Sequence, residues 1–187
     1  MTTSMVRRAG LALLFVYMTS IVAANWLTTR YGQVPVAPGL VATAGTFAIG
    51  GAVMTRDFLQ DALGRAAVFA AILTGAGLSY LLSSHRIALA SGITFLIAES
   101  AEFGIYTPMR RRVRWGSWLW SGVISLANLT GIVADTLLFL WLAGFALTVS
   151  GVAGQFAGKA YVTVAVIACA GVIRRALSHS AVNSASA

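Results

Sequence analysis

The sequence predicts an all-α polytopic membrane protein with six transmembrane helices and both termini on the cytoplasmic side. Three observations carry that reading. First, 58% of the 187 residues are apolar and only 10% are charged, where an ordinary soluble domain carries roughly a quarter charged, and mean hydropathy is +0.84. Second, the apolar residues fall in long runs of about the twenty residues needed to cross a bilayer core. The short alternating strands of a membrane barrel are absent from the sequence pattern. Third, the arginines stand at the ends of those runs, where membrane topology places them.

The first run, Ala9–Leu27, follows Arg7 and Arg8. It is long enough to span and further runs come after it, so it reads as a retained helix and not as a cleaved signal. The second, Pro38–Thr55 (PGLVATAGTFAIGGAVMT), is rich in glycine and threonine and is the weakest span, either a packed interior helix or partly re-entrant. Ala66–Leu82, Ile87–Thr107, Trp118–Leu142 and Val152–Ile173 complete the set. Residues 1–175 read as one transmembrane domain. Residues 176–187 are small and polar and predict a disordered tail.

Arginine asymmetry orients the chain. Ten arginines fall on one side of the six runs (Arg7, Arg8, Arg56, Arg65, Arg110, Arg111, Arg112, Arg114, Arg174, Arg175) and two, Arg30 and Arg86, on the other. The basic side is cytoplasmic by the positive-inside rule, and a net charge of +8 arranged this way argues against nucleic-acid binding. Trp26, Trp115, Trp118, Trp120 and Trp141 stand near run ends, as interfacial anchors do. Cys169 is the single cysteine, so no disulfide forms within the chain.

All five acids, Asp57, Asp61, Glu99, Glu102 and Asp135, lie in or against apolar runs, and so does the one lysine, Lys159. Ionisable groups at membrane depth are costly and mark substrate paths, relays or buried pairs. In span four, Glu99, Glu102 and Tyr106 share a helical stripe with Phe95. Glu99 sits about 18 Å into the span, near the midplane. Glu99 reads as lining a substrate cavity. Glu102 reads equally as cavity-lining or as an interfacial partner of Arg110. In span five, Ser121, Asn128 and Asp135 share a face, and in span six Gln155 and Lys159 are one turn apart. Asp135 and Lys159 are at matching depth on helices joined by a short loop, which predicts an ion pair, either a structural clamp or a pair that also touches ligand. Asp57 and Asp61, framed by Arg56 and Arg65, read first as salt-bridged residues at a cytoplasmic helix end. Asn25 reads as a helix-packing hydrogen bond.

Taken together, RDFLQDALGR after span two, AESAEFGIYTPMRRR in span four, ADTLLFLWLAG in span five and GQFAGK in span six resemble the VUT family of vitamin-uptake and queuosine-precursor transporters. The resemblance covers about Asn25 to Ile173. It implies uptake of a deazaguanine base across the cytoplasmic (inner) membrane. It matches the family's acidic motif to Glu99 and Glu102, its Asp-hydroxyl pair to Asp135 and Thr136, its Gly-Lys pair to Gly158 and Lys159, and its acidic loop to Asp57. Where some members carry Phe-Pro in span two, this chain has Ala48-Ile49-Gly50-Gly51.

The expected function is therefore secondary or facilitated import of a small polar heterocycle. Its substrate-binding candidates are Glu99, Glu102, Asn128, Asp135, Lys159, Gln155, Phe95, Tyr106 and Asp57. A buried carboxylate accepts two adjacent N–H groups of a guanine-like edge at once, and Glu99 is the first candidate for that contact. The alternative is a substrate-binding membrane subunit that works with ATP-hydrolysing coupling subunits. A third class, an intramembrane enzyme or scaffold, finds no nucleophile, metal set or phosphate loop in the sequence. No catalytic residue, metal or cofactor is expected. The expected partners are the lipid bilayer, the base and, in a homo-oligomer, further copies of the chain.

Overall fold

The computed structural model describes residues 3–110, 118–165 and 168. Six helices and one hairpin make up the described residues. In order they are α1 (Thr3–Tyr31), β1 (Gln33–Ala37), β2 (Leu40–Thr43), α2 (Thr46–Leu63), α3 (Arg65–Leu82), α4 (His85–Arg110), α5 (Trp118–Ala143) and α6 (149–165). Three of the expected spans, the third to the fifth, match helices closely at both ends, and the first lies within the longer α1, which starts at Thr3 and ends at Tyr31. The sixth matches α6 as far as residue 165, and of its remainder only residue 168 is described; residues 111–117 and 176–187 lie outside the described residues.

The second span is a correction. Its first residues are not helical. Pro38 and Gly39 form the turn of an antiparallel hairpin that pairs Gln33 with Thr43, Val34 with Ala42, Pro35 with Val41 and Ala37 with Leu40. Gly39 has φ +73°, the geometry of the third residue of a type II turn, for which proline just before it is the favoured partner. The register slips between Pro35 and Ala37, next to a residue with no N–H to give a ladder. The hairpin base closes through Ala44 N–H donating to the Gly32 carbonyl at 2.9 Å. The helix starts only at Thr46 and runs on to Leu63. Arg56, Asp57 and Asp61 thus lie within α2, Asp57 and Asp61 towards its end as expected from the sequence, while Arg56, counted with the loop after the span, is helical.

α1, α2, α3 and α4 meet in a core of Tyr17, Ile21, Ala52, Leu59, Val68, Ala71, Ile72 and Phe95. α5 packs along α4, and Arg86 at the start of α4 donates from Nε to the Leu142 carbonyl at the end of α5 (3.1 Å). His85 opens α4 and stacks on Tyr80 with ring centroids 4.0 Å apart. The hairpin is held at both ends. Its tip carbonyl at Gly39 accepts from Ser150 Oγ (2.6 Å). Its second strand lies so close to α6 that a Cβ on Gly154 would fall 1.9 Å from the Val41 carbonyl oxygen, so only glycine fits there.

Among the described residues two helical segments, Arg8–Tyr31 and Arg65–Leu82, are long and apolar enough to cross a membrane. Large apolar side chains on the outside of the bundle are numerous; Phe15 is 72% exposed and Leu81 78%.

Candidate functional site: two cavities that share an ion pair

The short connection at 144–148 turns the chain back, so α5 and α6 run antiparallel as neighbours. Asp135 and Lys159 stand at similar distances from that turn, and the expected ion pair forms: Lys159 Nζ donates to Asp135 Oδ2. It also donates to the buried hydroxyl of Thr136 at 3.0 Å. One turn earlier on α6, Gln155 is buried against the hairpin. Its Nε2 donates to Thr43 Oγ1 (2.9 Å), the Thr46 hydroxyl donates to its Oε1, and the two threonine hydroxyls lie 3.0 Å apart. On the other side Thr28 Oγ1 accepts from the Gly45 N–H at 3.1 Å. The polar groups that the hairpin brings inside are thereby satisfied by side chains from α1, α2 and α6.

Below this knot lies a small cavity of about 30 Å³, lined among others by Asn25, Thr46, Ser91, Phe95, Asp135 and Lys159. A second cavity, of about 40 Å³, is lined by Tyr17, Arg56, Phe95, Glu99, Asp135 and Lys159 among others. Within it, Arg56 Nη1 donates to Glu99 Oε1 in a pair whose side chains are 12% and 7% exposed. The two cavities share Phe95, Asp135 and Lys159.

Helical spacing accounts for this arrangement. α4 offers Ser91, Phe95 and then Glu99, each four residues on and so on one face. α5 offers Gly131, Asp135 and Phe139 in the same way, in the opposite direction. α2 presents Thr46 and Ile49 to the first cavity and Ala52 and Arg56 to the second; α1 presents Asn25 and Thr28 to the first and Tyr17 to the second. On each of these helices the residues of one cavity precede or follow those of the other without mixing. The cavities are therefore stacked along the bundle, an upper one beside the hairpin and a lower one beside Glu99, with Phe95 and the Asp135–Lys159 pair at the waist. Across the two, the charged residues are Arg56, Glu99, Asp135 and Lys159, two of each sign.

Of the residues singled out from the sequence, the structure brings Phe95, Glu99, Asp135, Gln155 and Lys159 to this one region. Gln155 is 3% exposed and its amide is engaged by threonines. The side chains of Asp57, Asp61, Glu102, Tyr106 and Asn128 lie outside the described residues. Arg56 is a correction: counted as a cytoplasmic loop charge, it is instead inside the bundle on Glu99. Asn25 is another. It lines the upper cavity and its Nδ2, with no hydrogen-bond partner, packs nothing by hydrogen bonding. Thr43 and Thr46 were missed. Their signal was the Thr-Ala-Gly-Thr run after a Pro-Gly turn, which reads as a strand end entering a helix. Among the described residues no group of three or more His, Cys, Asp or Glu side chains is placed to hold a metal ion.

No family model, curated protein or solved structure matches this chain.

Proposed function

We propose that this chain spans the cytoplasmic membrane six times, termini inside, and carries a small polar heterocycle of the deazaguanine class between its upper and lower cavities. The observation that supports this reading most is the pair of stacked cavities meeting at Phe95, Asp135 and Lys159. Charges held inside an apolar bundle beside open volume suit a cargo path better than a purely structural clamp. With two cations and two anions along it, the path favours a cargo that is polar and uncharged.

Two further features agree. The apolar exterior, with Phe15, Leu81 and Trp118 largely exposed, suits a lipid surface and would be a liability in water. Non-helical backbone at membrane depth is tolerable only where protein covers it; the inner end of the hairpin is covered, with Ala42 and Thr43 buried, while Gln33, Pro35, Pro38 and Gly39 are exposed and suit the polar end of the bundle. The VUT resemblance points to the same cargo class. Taking Arg56 from the ten basic-side arginines leaves nine against two, so the orientation argument stands.

In this reading cargo enters the upper cavity and passes the waist when Phe95 and the Asp135–Lys159 pair part. It then meets the Arg56–Glu99 pair, where the Glu99 carboxylate accepts the N–H groups of the base. A carboxylate has about four acceptor sites, so one ion pair does not exhaust it. The deciding experiment is uptake of labelled 7-deazaguanine by liposomes containing only this chain. Saturable uptake is expected. Binding with no uptake would place the chain with the ATP-coupled subunits instead, and absence of both would overturn the reading.

A further inference from the structure

Three buried polar atoms lack a hydrogen-bond partner among the described residues: Asn25 Nδ2, Ser79 Oγ and Thr94 Oγ1. Of their residues, Asn25 is the one that lines either of the two cavities described above. It is 2% exposed, and a buried amide left without a partner costs free energy that native structures rarely forgo without a reason.

The neighbours of Asn25 sharpen the point. Thr43, Thr46 and Gln155 satisfy one another. Thr28 Oγ1 is taken by the Gly45 N–H, and Lys159 is held by Asp135 and Thr136. The upper cavity is thus lined by polar groups that mostly engage one another, by the Ser91 hydroxyl, and by one buried amide whose donor lacks a partner among the described residues. Phe95 and Phe139 supply aromatic surface in the same cavity.

We infer that the upper cavity is a recognition site in its own right, in which the Asn25 amide pairs with the adjacent N–H and C=O of a lactam on a flat heterocycle. A primary amide presents one acceptor and two donors side by side. Its geometric complement is a ring amide, whose carbonyl accepts from Nδ2 while its N–H donates to Oδ1. Asn25 is then the residue that tells a lactam base from an amino-purine or a deoxo ring. This deepens the transport reading and rests on it. The base is read first at Asn25 and only afterwards, past the waist, at Glu99.

The test compares two probes on the purified full chain, 7-deazaguanine and 2-amino-7-deazapurine, the same ring without the carbonyl. Wild type is expected to bind the lactam about tenfold more tightly or better, the scale of one to two neutral hydrogen bonds lost. Asn25→Leu is expected to bind both probes equally, with the weaker probe's affinity unchanged. Asn25→Asp retains the acceptor but sets a carboxylate against the ring carbonyl, and is expected to lose the preference as well; it serves if the leucine variant does not fold. Wild-type discrimination that survives in a folded variant overturns the role of Asn25 and leaves the transport reading standing. Equal wild-type binding of both probes does the same. Wild type that binds neither overturns both.

Discussion

Lys159 reaches back 24 positions to Asp135, and both side chains line the upper and the lower cavity. A pair so placed is both a brace between α5 and α6 and part of the wall that separates two volumes. Its two duties are separable by mutation. Asp135→Asn or Lys159→Met alone leaves a charge without its partner inside the bundle, which costs about 3 kcal/mol or more. Replacing both together is expected to cost far less than the sum. Thermal unfolding of the four proteins of this cycle measures the coupling. If the double variant is stable but does not take up the base, the pair has a role beyond bracing; full uptake by that variant would confine it to structure.

Arg56 and Glu99 make the second test. Glu99→Gln keeps the shape and removes the charge. Uptake of the base is expected to fall at least tenfold, since hydrogen bonds to charged groups contribute about 1.5–3 kcal/mol. The reversed pair, Arg56→Glu with Glu99→Arg, is expected to restore much of the stability lost in either single change, but not uptake, because an arginine offers no acceptor. Uptake unchanged in Glu99→Gln would remove Glu99 from recognition.

Glycine substitutions probe the join between hairpin and α6. Gly154→Ala must push Val41 away, and a cost of at least about 1–3 kcal/mol is expected from overpacking. Gly77→Ala is the control: a Cβ there meets nothing within 4 Å, so the change is expected to be neutral or stabilising by under about 1 kcal/mol. Melting temperatures of the two variants, side by side with wild type, check the difference. Equal behaviour would mean that the hairpin does not pack on α6 in solution.

Orientation is open to labelling. In a Cys169→Ser background, His85→Cys is expected to react with a membrane-impermeant thiol reagent added outside whole cells. Ala66→Cys, at the start of α3, is expected to react only after the membrane is opened. The reverse pattern would invert the topology drawn from the arginines.

Most of the helix pattern was legible because apolar runs of this length between basic residues have few alternatives. The Asp135–Lys159 pair was legible for a related reason, since a short loop fixes the relative depth of two helices. The hairpin was not. PGLVAT, its turn and second strand, is as apolar as the helix after it, so hydropathy absorbed it into the span, and the turn signal of Pro38-Gly39 was outweighed by the run that followed. That misreading carried others with it. With the helix begun eight residues early, Arg56 appeared to fall outside the bundle and its contact with Glu99 went unseen. Asn25 shows a different limit. A lone asparagine near a helix end gives no sign in sequence of whether its amide will be met, because that depends on Thr28 and Gln155 being committed elsewhere.

Gly154 has one more consequence. With no side chain between them, the backbone of β2 and that of α6 are in direct contact, and Ser150 fastens the far tip. The strand pair is therefore not a free flap. If the top of the bundle ever widens to admit a molecule, the ribbon and the last helix must swing as one rigid lever, and Lys159 rides on that lever away from Asp135.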